Sequence, residues 1–274
     1  MYRIGWFSTG RDKAARELLT TVWESIQSGH LVAQIPVVFS NREPGESRQS
    51  DLFFQLVRSY NIPLVYFSSQ KFPAHGTRLP KDANARRSWR LQYDREVMKR
   101  LEGYPADLYV LAGYMLIVGE ELCQKYPMLN LHPAAPGGPT GTWQEVIWKL
   151  IDSKATETGV MIHLVTLELD KGPPVTYCTF AIRGEPFDRH WKEIEGRSLN
   201  EPKTAAGERN PLFRSIRQYG LAREFPLIVS TLKAFSEGKV KIEKGKVLDA
   251  NGQPIEGYCL TPEIDGIVKG RLSQ

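Results

Sequence analysis

YDREVMKRLEGYPADLYVLAGYM, residues Tyr93 to Met115, passes from a helical pattern that ends before Gly103 into a buried β-like run, LYVLAG. The same change of texture repeats upstream. RIGWF is β-like, the Asp12 to Ser28 region helical, VAQIPVVFS β-like, Gln49 to Tyr60 helical, and PLVYFS β-like again. Short apolar runs alternating with amphipathic helical segments predict βαβ units, hence a mostly parallel sheet covered by helices on both faces. The expected fold is α/β and doubly wound. Right-handed crossovers then bring the strand C-termini to one edge, where ligands of open α/β sheets bind.

The chemistry concentrates at such an edge, in Met128-Leu129-Asn130-Leu131-His132-Pro133. Period-2 alternation puts Asn130 and His132 on one strand face, with both polar heads directed into one cleft. An Asn amide donates to an oxygen that becomes negative, and an imidazole beside it donates when protonated, so the pair can stabilise the charge that develops in acyl transfer. Asp170, in HLVTLELDKGPPV (His163 to Val175), offers a carboxylate that can hold this imidazole protonated and oriented. The alternative is a capped strand end with a satisfied core histidine and a turn aspartate. Pro136 to Gly141, PGGPTG, is too rich in Gly and Pro for regular structure and reads as a loop in the cleft wall.

Beyond Asp170 the pattern changes. PPVTYCTFAI continues as a strand, Arg183 to Pro211 reads as irregular and charged, and Leu212 to Glu237 has apolar residues at helical spacing. VKIEKGKVLDANGQPIEGY carries Asn251-Gly252 between short β-like pieces, which predicts a small terminal hairpin. The expected division is an α/β core over 1–182, an irregular insertion over 183–211, and a C-terminal helix and hairpin over 212–274 packed on that core.

At 274 residues, with 41% hydrophobic and 24% charged residues, the composition is that of an ordinary soluble globular protein. The net charge of +5 arises from Lys and Arg interleaved with Asp and Glu along the chain, which argues against a nucleic-acid-binding face and suits a polyanionic small molecule. Cys123, Cys178 and Cys259 form neither a CxxC pair nor an even disulfide framework, and no leader pattern follows Met1, so a reducing cytoplasm is expected. The longest apolar stretches are of strand length, so no membrane span is expected. His30, His75 and His190 lie apart without HxxxH or HExxH spacing, so no metal is expected.

LAGYM (Leu111 to Met115), NLHP (Asn130 to Pro133) and HLVTLELDKGP (His163 to Pro173), in this order and at compatible spacings, resemble the folate-dependent formyltransferases, most closely the glycinamide ribonucleotide (GAR) formyltransferases. RIGWFS, IPVVFSNRE (Ile35 to Glu43), FPLIVSTLKAFSEGKVKI and GYCLTPE follow the family in order. Phe67 to Arg90 is longer than in the family, and Arg183 to Pro211 has no counterpart. The resemblance implies a Rossmann-like formyltransferase fold, with 10-formyltetrahydrofolate as co-substrate and a primary amine as formyl acceptor. It implies oxyanion contacts from Asn130 and His132, and from Asp170 the protonation of His132 and help in relaying a proton. It also implies that Tyr114, Met115, Leu116, Ile117 and Val118, with Val165, Thr166, Leu167 and Glu168, enclose the pterin ring. His163 matches a family histidine and is placed with the substrate-binding residues, the alternative being a purely structural role.

In the family the loop after the first strand grips the substrate phosphate. Here that loop is Ser8, Thr9, Gly10, Arg11, Asp12 and Lys13, with a single glycine and two cations. It reads either as an anion site at a helix N-terminus or as a Ser/Thr/Asp helix cap with solvated charges. The GAR enzymes also place a glutamate that contacts the substrate amine, and the ungapped match in Gln218 to Pro226 is Leu221. The expected activity is formyl transfer to GAR in purine biosynthesis, on small-molecule substrates and as a monomer or homodimer. An amino sugar or amino acid derivative as acceptor, and hydrolysis of formyltetrahydrofolate, are alternatives. The hydrolases usually carry a regulatory N-terminal domain, whereas this chain opens at the first catalytic-domain strand. A non-catalytic folate or nucleotide binding module is a further alternative, against which the intact Asn, His and Asp argue.

Overall fold

Ile4 and Trp6 of the first strand pack into one hydrophobic cluster and Phe7 into another, and all three are fully buried. A strand buried on both sides needs a sheet covered twice, and the computed structural model, which describes residues 1–72, 82–194 and 207–272, has that arrangement. Eight strands lie side by side in the order β3 (Leu64–Tyr66), β2 (Ala33–Ser40), β1 (Tyr2–Phe7), β4 (Leu108–Leu111), β5 (Met128–His132), β6 (Glu157–Leu164), β7 (Pro174–Ala181) and β10 (Tyr258–Cys259). The five from β3 to β5 are parallel, β6 runs antiparallel to both β5 and β7, and β10 is parallel to β7. The reversal of order at β1 is the topological switch of a doubly wound sheet, and it opens a crevice at the strand C-termini.

One face is covered by α1 (Lys13–Gln27), α2 (Arg48–Ser59), the long α7 (Pro211–Ser236) and α8 (Thr261–Leu272), through side chains such as Leu19, Phe53, Leu227 and Ile264. The other is covered by α3 (Ala83–Leu101) and α4 (Glu120–Lys125), where Trp89, Tyr93, Val97 and Leu122 meet Phe7, Phe39 and Tyr109. A third cluster joins α5 (Trp143–Asp152), α6 (Phe187–Ile194) and the first turns of α7 around Ile182. Local sequence starts these helices. The Asp12 and Asn210 side chains accept the N–H of Ala15 and Phe213, and Pro211 occupies a first-turn position where no N–H is needed.

Two expectations are corrected. The tract from Arg183 to Pro211, read as irregular, contains α6 and a 3₁₀ turn at Gly207–Arg209, while 195–206 lie outside the described residues. Phe187, Trp191 and Ile194 recur at helical spacing and are buried, and the Trp191 indole donates to the Ile182 carbonyl at 2.6 Å. The terminal hairpin exists, but it pairs β8 (Val240–Glu243) with β9 (Lys246–Asp249) and turns at Lys244-Gly245, both at positive φ as a two-residue hairpin turn requires. Asn251-Gly252 forms a separate turn after β9, in which the Asp249 carboxylate accepts the N–H groups of Asn251 and Gln253.

Gly5 lies where β1 passes β4, and a Cβ there would stand 2.2 Å from ring atoms of the buried Tyr109. Gly5→Ala is expected to destabilise the fold by about 1–3 kcal/mol through overpacking. It should lower the urea midpoint with an unchanged m value. A midpoint equal to that of the wild type would contradict this packing.

Candidate active site

β4 ends at Leu111, and the chain leaves it through Gly113, at positive φ, into the segment Tyr114 to Val118. Thr9 fixes this departure: its N–H donates to the Gly113 carbonyl, and its hydroxyl accepts the Met115 N–H at 2.9 Å while donating to Asn41 Oδ1 at 2.8 Å. The result is one wall of a cavity of about 460 Å³ at the C-terminal ends of β4 and β5. Tyr114 to Val118 all line it, with Val165, Thr166, Glu168, Leu169 and Asp170 opposite; Leu167 is not among the lining residues. Met115, Ile117 and Leu169 are apolar yet exposed, at 52%, 44% and 62%. Apolar side chains so exposed at a concave site suit a ligand that covers them.

Asn130, His132 and His163 share the cavity's polar wall. His163 stands opposite Asn130 in the antiparallel pairing of β5 with β6. Its Nδ1 lies 3.1 Å from the Leu164 carbonyl, which can only accept, so Nδ1 carries a proton. Its Nε2 then offers a lone pair to the Asn130 amide, 3.2 Å away. Burial holds the His163 pKa below its ordinary value, and nearby His132 adds to this, against opposing effects of the Leu164 carbonyl and Asp170. His163 is therefore neutral at neutral pH, and it fixes the direction of the Asn130 amide.

His132 is buried, and its Nε2 donates to the Pro139 carbonyl at 2.9 Å, so the Pro136 to Gly141 loop holds the ring. The two imidazoles meet edge to face, with centroids 6.2 Å apart. The sequence reading has Asp170 holding His132, but the imidazole its carboxylate lies beside is His163, with Oδ1 3.8 Å from Nε2, a contact that becomes an ion pair only if that ring is protonated. Asp170 has a φ of +56°, a left-handed conformation uncommon for a residue with a side chain and frequent at functional sites.

Of the first loop, only Arg11 lines the cavity. Ser8 and Thr9 are buried and engaged internally, with Ser8 Oγ accepting the Gly10 N–H at 3.1 Å. Asp12 caps α1, and Lys13 pairs with Glu17 one turn along the helix. Arg217 and Glu224 of α7 also line the cavity, beside Trp143 and Gln144 of α5, and none of these was anticipated. Arg217 pairs with Glu224 and lies over the Trp143 ring, 4.7 Å from its centroid. Residues seven apart share a helix face, a spacing that would have found the pair. Leu221, the expected glutamate position, is not a lining residue, and a glutamate stands one turn further on. Among the described residues no group of three or more His, Cys, Asp or Glu is placed to hold a metal ion.

The GAR formyltransferase of Saccharomyces cerevisiae is 35% identical over 35% of this chain and 48% of its own, so the matched part spans about half of that enzyme. That of Haemophilus influenzae is 26% identical over 88% of this chain and 92% of its own. The solved structure of the phosphoribosylglycinamide formyltransferase of Coxiella burnetii shares the fold, with a TM-score of 0.66 at 21% identity over 94% of this chain and 98% of that one. Formyltetrahydrofolate deformylases match as well. The pattern of the formyl transferase family matches residues 6–185, which carry the end of β1, all of β2 to β7, and Asn130, His132, His163 and Asp170, and this chain belongs to that family.

Proposed function

We propose that this protein transfers the formyl group of 10-formyltetrahydrofolate to a primary amine, with GAR as the acceptor, as a step of purine biosynthesis in the cytoplasm. The observation that carries this reading is the convergence of Asn130 and His132 on one cavity, with a neutral His163 orienting the amide. The cavity volume of about 460 Å³ is within the usual range for small-molecule sites, and its exposed apolar wall suits a flat heteroaromatic ring. Tyr114 to Val118 and Val165 to Asp170 would hold the folate. No helix among the described residues is long and apolar enough to cross a membrane.

When bound, the folate supplies an activated formyl carbon; the reaction joins this carbon to the amine, breaks its bond to the folate nitrogen, and moves one proton between the two nitrogens. Asn130 has a second amide hydrogen to offer an oxygen that gains negative charge, and His132 adds a donor when protonated. One such donor typically contributes about 10²- to 10³-fold in kcat. Asp170 lines the same cavity and would accept the proton that the amine loses. Its loop is shaped by Gly172, where a Cβ would stand 1.6 Å from the Leu164 carbonyl oxygen, the same oxygen that accepts from His163.

One observation favours a second reading, in which the acceptor lacks phosphate. The α1 N-terminus, which would attract a phosphate, already holds the Asp12 carboxylate, and the cavity's arginines, Arg11 and Arg217, are paired with Asp12 and Glu224. An amino sugar or amino acid derivative would meet no such competition.

Asn130→Ala, His132→Ala and Asp170→Asn should each lower formyl transfer by at least about tenfold without loss of fold, with effects well short of additive because the residues act as one unit. Wild-type kcat in two of the three variants would defeat the assignment. Gly172→Ala should keep the fold but lose a comparable part of the activity, since the Asp170 loop must shift; an unchanged kcat would mean that Asp170's position is immaterial. Saturable formylation of GAR, with KM raised several-fold by Arg11→Ala or Arg217→Ala and untouched by Lys13→Ala, is expected if the acceptor is phosphorylated. Turnover of a phosphate-free amine with none of GAR would select the second reading.

A further inference from the structure

Asp94, from the YDREV segment on α3, is 1% exposed, and its Oδ2 accepts the Gly119 N–H at 2.6 Å. Gly119 directly follows the wall Tyr114 to Val118 and is the N-cap of α4. The wall is therefore pinned near its start by the Thr9 hydroxyl, through the Met115 amide, and at its end by Asp94. Asp94 makes no ion pair among the described residues. The groups that face it are Arg90 and Tyr93 on its own helix, Tyr114 in the wall, and Glu121 and Cys123 on α4. Arg90 Nε is itself buried without a hydrogen-bond partner among the described residues.

A buried, unpaired carboxylate is a costly way to accept one N–H, since an asparagine of the same shape would do so without desolvating a charge. What the carboxylate adds is a bond that changes strength. Ionised, it accepts a charge-assisted hydrogen bond; protonated, a neutral and weaker one. Burial pushes the Asp94 carboxyl up to about 7, against the Gly119 N–H and Arg90, with Glu121 adding to the rise.

We propose that Asp94 is a positioning residue whose carboxylate, acting through the Gly119 amide, sets the cavity wall Tyr114 to Val118, tightly when ionised and loosely when protonated. The positioning stands on geometry alone; only the naming of the wall's ligand as a folate rests on the function proposed above.

Local hold and global stability then move in opposite directions with pH. An unfolded aspartate releases its proton near pH 4, whereas folded Asp94 keeps it to about 7, so the folded state binds more protons in between. The contribution of Asp94 to stability is present below about pH 4 and is lost as pH rises to about 7. The grip on Gly119 strengthens over the upper part of that window. A merely structural residue would not separate the two trends.

The test compares the wild type with Asp94→Asn and Asp94→Ala in the full chain. Between about pH 8 and about pH 6, ligand-free wild type should lose hydrogen-exchange protection in the 114–119 segment, after correction for intrinsic rates. Its Kd for 5,8-dideazafolate should rise by about tenfold, the difference between a charged and a neutral hydrogen bond. Asp94→Asn should be flat in both measurements, at the weak level seen for wild type at low pH, and should raise the folate KM more than it lowers kcat. Asp94→Ala should be weak throughout. The urea midpoint of the wild type should fall relative to that of Asp94→Asn as pH rises from about 4 to about 7. A wild-type pH dependence in Asp94→Asn, of exchange or of Kd, would overturn the proposal. The expected exchange behaviour without any binding of the analogue would sustain the positioning and reject the folate reading.

Discussion

Asn130 and His163 lie opposite each other across the antiparallel pairing of β5 and β6, and the site depends on that register. A slip of either strand by one residue would turn its polar side chain to the other face of the sheet and put a leucine or isoleucine in its place. With the register kept, the Leu164 carbonyl fixes the His163 proton, His163 fixes the Asn130 amide, and the loop that leaves β6 brings Asp170 back beside His163. The reversal of direction at β6 matters here. In the parallel part of the sheet, crossovers place successive strand ends far apart in sequence, whereas β5 and β6 meet residue against residue and set an amide against an imidazole.

The rest of the fold serves to hold this edge still. Two hydrophobic clusters clamp the sheet from either side, and buried polar residues such as Ser8, Thr9, Ser40, Asn41, His132 and His163 sit at the strand ends. Thr9, Asn41 and Ser69 form a hydrogen-bonded chain beside β1 and β2, which ties the cavity wall to the centre of the sheet. The cavity then has a polar side, on strands, and an apolar side, on the segments 114–118 and 165–170. This division suits a reaction in which the donors must be precise and the ring-binding surface must admit a large ligand.

Much of this was legible from residue types and spacing. The alternation of apolar runs with helical patterns predicted β1 to β4 and the helices α1 to α3, because buried parallel strands leave a continuous apolar signature, while the short α4 went unread. The period of two placed Asn130 and His132 together. What failed was pairing at a distance. Asp170 lies beside His163 and not His132, and spacing alone does not say which of two imidazoles a loop carboxylate reaches. The α6 helix was hidden because only three of its eight residues are apolar and the flanking tract is strongly polar. Lys244-Gly245 outcompeted Asn251-Gly252 for the hairpin turn, since the apolar alternation on both sides of Lys244 sets the strand pairing and the turn follows from it. Glu224 escaped because an ungapped match pointed to Leu221, one helical turn away on the same helix.

A neutral His163, protonated on Nδ1, fixes the direction of the Asn130 amide at the cavity. Nitrogen NMR of the protein with ¹⁵N-labelled histidine reads this directly, since the two ring nitrogens report both the charge and the site of the proton. At neutral pH the His163 signals should show a protonated Nδ1 and an unprotonated Nε2, with titration below the ordinary range of histidine. An imidazolium at neutral pH, paired with Asp170, would contradict the account.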